Sequence, residues 1–237
     1  MATIPAEVRG APNFARILVA TDGSPFADRA VEWAREIALL DAGAAPRVFA
    51  VHAIPPSRDH DRDALDVAIR ALGPRTHAEP VLAYGEPALA IARLAEDVRA
   101  DLVIVGSHGG NAIERIVLGS VSDRVKDGVR ASVLIARTPP PPRRILLADD
   151  GATVTARAGA IASSWTRGWR VPLSIYRAPG RAPAAVGALV AAHAREVGAD
   201  LVVVGSHPRS RLGKLVAGSV GAHLAHHSVA SVLLVKG

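Results

Sequence analysis

The chain has 237 residues, 49% of them hydrophobic and 21% charged, so it can bury a substantial core and is not intrinsically disordered. The absence of cysteine excludes disulfide bonds, thiolate metal sites and a cysteine nucleophile. The net charge is +6, but the basic residues are scattered and only 3% of the residues are aromatic. This composition argues against a nucleic-acid partner, which needs clustered cations or stacking rings.

No apolar run in the sequence approaches the ~18 residues of a membrane-spanning helix. Residues 1–14 lack the apolar segment of a secretory signal, and we expect them to form a flexible extension. These features predict a soluble, cytoplasmic protein without a membrane partner.

Short β-branched runs alternate with helical patterns along the first part of the chain. Strands are predicted at 17–20, 48–53, 81–83, 102–105 and 133–136. A polar helix is predicted at about 59–72, and two other helices bury one face, formed by Ala30, Trp33, Ala34 and Ile37 and by Ile91, Leu94, Ala95 and Val98. This alternation predicts an α/β fold with a doubly wound parallel sheet, on which ligands bind beyond the carboxyl ends of the strands.

Three segments recur in the same order later in the chain. The pairs are 16–24 with 144–152, 100–108 with 199–207, and 131–135 with 230–234. The first pair is identical at six of nine positions and the second pair at eight of nine. An ordered recurrence of this kind indicates a tandem duplication.

Four consecutive prolines, Pro139–Pro142, separate the two copies. A run of prolines forms a stiff, extended spacer and belongs to neither a helix nor a sheet. We therefore predict two domains, residues 1–138 and 144–237, joined by a proline-rich linker at 139–143.

The second copy is shorter than the first. Asp22 and Gly106 are 84 residues apart, whereas their counterparts Asp150 and Gly205 are 55 apart, so 29 residues are missing. The loss falls where the first copy has its polar helix and third strand, so we predict a reduced second domain without them. Its neighbouring elements are predicted as a strand at 171–176 and a helix at 186–197 with a buried face of Val186, Leu189, Val190 and His193.

Glycine and serine residues follow the fourth predicted strand. Gly106 and Gly109 come directly after it, and nine residues later Gly119 precedes Ser120 and Ser122 at the start of a predicted helix. Glycine leaves backbone amides accessible to an anion, hydroxyl groups can donate to it, and a helix N-terminus attracts it. The spacing matches neither a Walker loop nor a dinucleotide fingerprint, so phosphate binding and simple turn or cap glycines both remain open.

The spacing Gly-x2-Gly-x9-Gly-Ser over residues 106–120 resembles the nucleotide-binding signature of the universal stress protein (UspA-like) family. Val19–Ser24 is similar to the family's first strand and turn, and Val51–Ala53 is similar to the end of its second strand. The resemblance extends over essentially the whole chain as two tandem domains. It implies an adenine nucleotide alpha hydrolase-like, Rossmann-like fold in both, with the second one truncated.

The resemblance implies that the first domain binds ATP or a related adenine nucleotide, with Mg²⁺ or Mn²⁺ carried in by the nucleotide. The residues implied to border the adenine and the ribose are Ala20, Thr21, Asp22, Ala53, Val105 and Gly106. The residues implied to hold the phosphates are Gly109, Gly119, Ser120, Val121 and Ser122. No catalytic residue and no metal ligand is implied.

The function that we expect is that of a nucleotide-dependent stress-response or signalling protein. A nucleotide-independent scaffold and a slow ATPase are the alternatives. Enzymatic hydrolysis is the less favoured interpretation, because Asp22 is the only carboxylate near the expected pocket and belongs to its adenine end.

Charged residues around the expected phosphate site depart from the family pattern. The loop after Gly106 lacks the arginine that many members of the family have there. Arg115 and Arg124 are candidates to replace it, although both also suit solvent-facing helix positions. His108 is expected as an exposed loop residue that could hydrogen-bond a phosphate.

The second copy has lost features of the site. Pro208 replaces the second glycine and has no N–H to donate, Asp149 replaces threonine and adds a carboxylate, and Gly221 replaces the second serine. A nearby basic group, interpreted either as a phosphate clamp or as a solvated face, comprises Arg209, Arg211 and Lys214. We therefore predict one nucleotide per chain.

The last strands of the copies, 132–136 and 231–235, resemble the strand that pairs across the dimer axis in this family. We expect them to pair within the chain as an intramolecular pseudo-dimer, while the thinly covered second domain leaves a homodimer open. Three residues are predicted to pack helices: Trp33, Trp165 and Trp169. Three histidines lie close together near the end of the chain, at His223, His226 and His227. A metal site there is disfavoured, because no carboxylate accompanies them in sequence.

Overall fold

The computed structural model describes residues 14–40, 45–54, 63–108, 118–149, 153–179, 182–206 and 219–237. The first half contains β1 (Arg16–Ala20), α1 (Pro25–Leu40), β2 (Arg47–Ile54), α2 (Asp63–Leu72), a 3-10 turn (Pro74–Thr76), β3 (Glu79–Tyr84), α3 (Pro87–Asp97), β4 (Leu102–Gly106), α4 (Ser120–Gly128) and β5 (Ser132–Ala136). The second half contains β6 (Ile145–Ala148), α5 (Thr153–Trp169), β7 (Leu173–Tyr176), α6 (Pro183–Glu196), β8 (Leu201–Ser206), α7 (Val220–His227) and β9 (Ser231–Lys236). The alternation of strands and helices confirms the predicted α/β fold.

The strands of the described residues form one sheet in the order β3-β2-β1-β4-β5-β9-β8-β6-β7. Neighbours within each half are parallel, whereas β5 and β9 are antiparallel, with Leu134 opposite Leu233. The chain order of the strands reverses between β1 and β4. In doubly wound sheets this reversal opens a crevice at the carboxyl ends of the strands, where ligands bind.

Helices cover both faces of the sheet. Alternate strand residues point to opposite faces, so Ile17 and Val19 join the cluster under α1, α2 and α5, and Leu18 joins the cluster under α3, α4, α6 and α7. All three side chains are completely buried. A sheet buried on both sides explains why its strands are apolar almost without interruption.

Tryptophan residues pack α1 against α5, as the sequence predicts. The Trp33 and Trp169 rings meet edge to face at 5.8 Å, and the Trp165 and Trp169 rings are 5.3 Å apart. Phe14 lies 6.0 Å from Trp165. The Trp33 indole also donates a hydrogen bond to the Thr138 carbonyl at 2.8 Å, so this aromatic cluster joins the two halves on one face of the sheet.

The predicted buried face of α6 is wrong at Leu189, which is 40% exposed. The face that packs on the core instead comprises Gly187, Val190, Ala191 and Ala194. A Cβ atom at Gly187 would lie 2.6 Å from the Cβ of His223, so α6 and α7 approach closely and the small residues must face inward. The periodicity of the branched residues therefore indicates the wrong face of α6, because close packing against α7 selects small residues.

The second half has neither helix nor strand between β7 and α6 within the described residues. β7 is consequently an edge strand, and it begins at Leu173 rather than at 171 as predicted. Pro172 directly precedes it and lacks the amide that a strand interior requires. In the first half, α2 begins at Asp63, and the predicted start of this helix at 59 lies outside the described residues.

None of the helices in the described part of the chain combines the length and the apolar character needed to cross a membrane.

Candidate functional site

An open cleft of about 180 Å³ lies at the carboxyl ends of β1, β2 and β4, between the N-termini of α3 and α4. Ten of the eleven predicted site residues line it: Ala20, Thr21, Asp22, Ala53, Val105, Gly106, Gly119, Ser120, Val121 and Ser122. The eleventh, Gly109, lies outside the described residues. His108, which the sequence suggested as a possible phosphate contact, also lines the cleft, and so do three residues that the sequence did not single out for the site, namely Ala27, Pro87 and Ile91.

The turn after β1 forms one wall of the cleft. Hydrogen bonds between its side chains and its own backbone stabilise the turn: the Gly23 amide donates to Thr21 Oγ1 at 3.2 Å, and the Ser24 amide donates to Asp22 Oδ1 at 3.0 Å. The Thr21 carbonyl lies 2.8 Å from Nδ1 of His52, which ties the turn to β2. Gly23 has φ 75°, a left-handed conformation that glycine adopts without strain. Asp22 is left exposed at the rim.

Gly106 ends β4 against the backbone of α1. A Cβ atom there would lie 2.5 Å from the Phe26 carbonyl oxygen, which is far inside contact distance. This glycine is therefore required for packing between the strand and the helix. From the sequence, both the approach of an anion and a simple turn were open for this glycine.

The two helices that point at the cleft differ at their N-termini. Glu86 caps α3, and its carboxylate accepts hydrogen bonds from the amides of Ala88 at 3.3 Å and Leu89 at 3.1 Å. Gly119 precedes α4 and supplies no side-chain cap. The first-turn amides of α4 therefore keep their capacity to bind an anion, whereas those of α3 already face a carboxylate.

The two serines of α4 have different surroundings. Ser122 is buried, and its hydroxyl donates to the Gly106 carbonyl at 2.5 Å, so it fastens α4 to β4. The hydroxyl that the sequence offers as a donor to a ligand is therefore engaged with this carbonyl in the structure. Ser120 is exposed at the mouth of the cleft.

His108 is 6% exposed, which corrects its expected place on an exposed loop. Its ring packs on Phe26 with 5.0 Å between centroids, and Nδ1 lies 3.0 Å from Ser107 Oγ. Burial, together with the charge of Arg137, lowers the pKa of His108. Both effects favour the neutral form of the ring.

Arg124 forms an ion pair with Glu86 at 2.8 Å, with 54% of its side chain exposed. The pair bridges α4 and the start of α3, so the arginine already has a carboxylate partner. The other candidate cation, Arg115, lies outside the described residues.

The corresponding corner of the second half is arranged differently. Asp149 is ion-paired with Arg177 at 2.6 Å, so the carboxylate predicted to repel a nucleotide has a cationic partner. Ser219 caps α7, and its hydroxyl oxygen accepts a hydrogen bond from the Ala222 amide at 3.0 Å. This first-turn amide is therefore already bonded, whereas α4 has no side-chain cap and leaves its first-turn amides available. The predicted changes that lie outside the described residues are those at Pro208, Arg209, Arg211 and Lys214.

The histidines of α7 contact one another and α4. The rings of His223 and His227 are 4.4 Å apart, and His226 Nε2 lies 3.0 Å from Asp123 Oδ1 of α4. Local sequence patterns could not identify this carboxylate as a neighbour, because it lies about a hundred residues earlier in the chain. Among the described residues, no cluster of three or more candidate ligands could hold a metal ion.

Comparisons with known proteins agree with this arrangement. The model of the universal stress protein family matches residues 13–74, 70–137 and 184–236. A universal stress protein of Methanocaldococcus jannaschii is 28% identical over 155 residues, covering 56% of this chain and 88% of its own length. A universal stress protein assigned in Staphylococcus haemolyticus is 30% identical over 144 residues, covering 53% of this chain and 86% of its own length.

A solved structure spans nearly the whole molecule. The universal stress protein of Archaeoglobus fulgidus superposes with a TM-score of 0.73, covering 95% of this chain and 98% of its own, at 17% identity. At that identity the likeness concerns the fold, and it extends over both halves. With a family model that matches most of the chain in three segments, the chain belongs to the universal stress protein family.

Proposed function

We propose that the first half binds ATP or a related adenine nucleotide in the cleft between α3 and α4, and that the bound state serves stress signalling. The observation that carries the proposal is the uncapped N-terminus of α4 at one end of this cleft. Residues far apart in sequence supply the rest of the lining, at the point where the strand order reverses.

The other end of the cleft suits an adenine ring and a ribose. Its walls include the apolar side chains of Ala20, Ala53 and Val105 together with Ile91. Asp22 stands exposed at the rim and is positioned for a polar contact with a base or a sugar hydroxyl. An apolar slot with one polar group and an anion site at its far end suits a nucleotide better than a simple phosphate.

Mg²⁺ or Mn²⁺ would enter with the nucleotide rather than occupy a site of the protein. Asp22 is the only carboxylate among the described residues that line the cleft, and hard cations need several oxygen ligands. The phosphates would supply these ligands, and the metal would reduce their mutual repulsion. The titration and the phosphate-release measurement described next also test the two alternatives, a slow ATPase and a nucleotide-independent scaffold.

The proposal gives one nucleotide per chain, because Ser219 caps α7 in the second half while α4 is uncapped. Calorimetric titration with ATP and Mg²⁺ should give a stoichiometry near one. A stoichiometry near two would show a second site, and no binding would favour the scaffold. Phosphate release over hours by the nucleotide-loaded protein would identify an ATPase.

We also propose that residues 1–138 and 144–237 are two domains paired within one chain through β5 and β9, which makes an intermolecular partner for these strands unnecessary. Small-angle scattering should show one compact particle rather than two separated beads. A homodimer would have to form elsewhere, and light scattering would detect it. The cytoplasmic location expected from the sequence is part of the proposal and is tested by cell fractionation.

A further inference from the structure

Helix α4 is held at its C-terminus by the last residue of β9. Lys236 is 6% exposed, and its ammonium group donates to the carbonyl oxygens of Lys126 at 2.7 Å and Val129 at 2.5 Å. The Lys236 amide donates to Ser132 Oγ at 3.1 Å, which fixes the residue across the β5–β9 contact. The last carbonyls of a helix lack intrahelical partners, so the Lys236 ammonium group satisfies two acceptors at this helix end.

The second half receives the reciprocal contact. Arg137, which follows β5, donates from Nη2 to the Ala225 carbonyl in α7, and its amide donates to Ser231 Oγ at 3.0 Å. Arg137 and Lys236 are equivalent positions of the two copies, as are Ser132 and Ser231. Each half therefore holds the C-terminal turn of a helix that belongs to the other half.

A second contact attaches α4 nearer to its beginning. Asp123, in the first turn, lies 3.0 Å from His226 Nε2 of α7 and 2.8 Å from Lys126 Nζ. The helix thus contacts the second half at its first turn and is hydrogen-bonded to it at its last turn. It is only nine residues long, so a tilt at its C-terminus moves the amides of its first turn as well.

We infer that the second half positions the nucleotide site of the first half through α4, with Lys236 as the principal positioning residue. This inference rests on the proposed function for the identity of the ligand, whereas the hold on α4 is independent of any ligand. The inference gives the second half a role. The N-terminus of its own helix α7 is capped by Ser219, but the second half keeps β9 and the lysine at the end of that strand.

Three variants separate positioning from general support. Lys236→Met removes both hydrogen bonds to the α4 carbonyls, and Lys236→Arg restores a cationic donor of the kind that Arg137 supplies at the equivalent position. Ser231→Ala is the matched control, because it removes an acceptor for the amides of Arg137 and Thr138 at the same β5–β9 contact without touching α4. His226→Ala removes the other attachment of α4 and leaves β9 intact.

ATP affinity is measured by equilibrium dialysis, and hydrogen exchange of the α4 amides is measured without nucleotide on the full-length variants. Lys236→Met should weaken ATP binding roughly tenfold, equivalent to about 1.4 kcal/mol, and should accelerate exchange in α4. Lys236→Arg should restore both, His226→Ala should weaken binding about threefold, and Ser231→Ala should stay within about twofold of the wild type. Thermal unfolding verifies that each variant is folded, and His226→Ala carries the test if Lys236→Met is not.

Unchanged affinity and unchanged α4 exchange in folded Lys236→Met, or an equal loss in Ser231→Ala, would overturn the inference. Failure of the proposed function has a different signature, since the wild type would then bind no ATP. In that case the exchange of the α4 amides still decides whether Lys236 positions this helix.

Discussion

The Ser122 hydroxyl donates a hydrogen bond to the Gly106 carbonyl oxygen at 2.5 Å, and so joins the first turn of α4 to the end of β4. Both residues are implied by the family resemblance to contact a nucleotide. In the structure, this contact holds the two edges of the cleft together. The residues of the sequence motif therefore divide into those that shape the site and those that are available to a ligand.

Ser122→Ala should lower both the stability of the protein and its affinity for ATP. The loss leaves the buried Gly106 carbonyl without this partner, which costs about 1–3 kcal/mol in the free energy of unfolding. Urea unfolding and ATP titration measure the two effects. Ser120→Ala is the control: it should weaken ATP binding alone, and a loss of stability there equal to that of Ser122→Ala would contradict this division.

Gly119→Val should abolish ATP binding while the protein stays folded, because a branched side chain would fill the space in front of the α4 amides. Gly109→Val should do the same. Calorimetric titration of the folded variants gives the answer, and wild-type affinity in either would disprove the phosphate site.

Gly106→Ala should instead destabilise the fold, because the added methyl group would meet the Phe26 carbonyl at 2.5 Å. Overpacking of this kind costs about 1–3 kcal/mol. The midpoint of urea unfolding should fall accordingly. A variant as stable as the wild type would show that α1 can move away from β4.

Lys236 should make the protein more stable as the pH rises from 8 toward 10.5. Burial lowers the pKa of Lys236 from 10.5 to about 8, with Asp127 acting in the opposite direction and Lys126 in the same direction as burial. In this window the unfolded chain binds more protons than the folded one, so the free energy of unfolding increases with pH. This gain in the free energy of unfolding from Lys236 is complete above pH 10.5 and absent below pH 8.

The measurement is the difference in unfolding free energy between the wild type and Lys236→Met at pH 7.5 and at pH 10. This difference should move in favour of the wild type by up to about 3 kcal/mol, since one pKa unit corresponds to about 1.4 kcal/mol. Taking the difference cancels groups common to both proteins. A difference that does not vary with pH would show that Lys236 titrates normally.

Trp33→Phe should destabilise the joint between the halves. It removes the hydrogen bond from the indole to the Thr138 carbonyl and reduces the edge-to-face contact with Trp169. The expected cost is about 1–2 kcal/mol in urea unfolding. Trp169→Phe, in a part-buried position, should cost less, and the reverse order would contradict the assignment of Trp33 as the buried anchor.

The sequence by itself determined the repeat and the α/β class, which follow from the recurring segments, the β-branched runs and the helical periodicity. Its resemblance to the universal stress protein family indicated ten of the fourteen residues that line the cleft. Parallel strands bring their carboxyl ends to one edge of a sheet, so motifs far apart in sequence had to meet.

Only the tertiary structure decided what each side chain does there. Whether Ser122 binds a ligand or the Gly106 carbonyl, and whether His108 is exposed or stacked on Phe26, depends on how closely neighbouring elements approach. The hold of Lys236 on α4 joins residues more than a hundred positions apart, across a contact between two strands. No local pattern encodes such distances, because they are set by the packing of all elements at once.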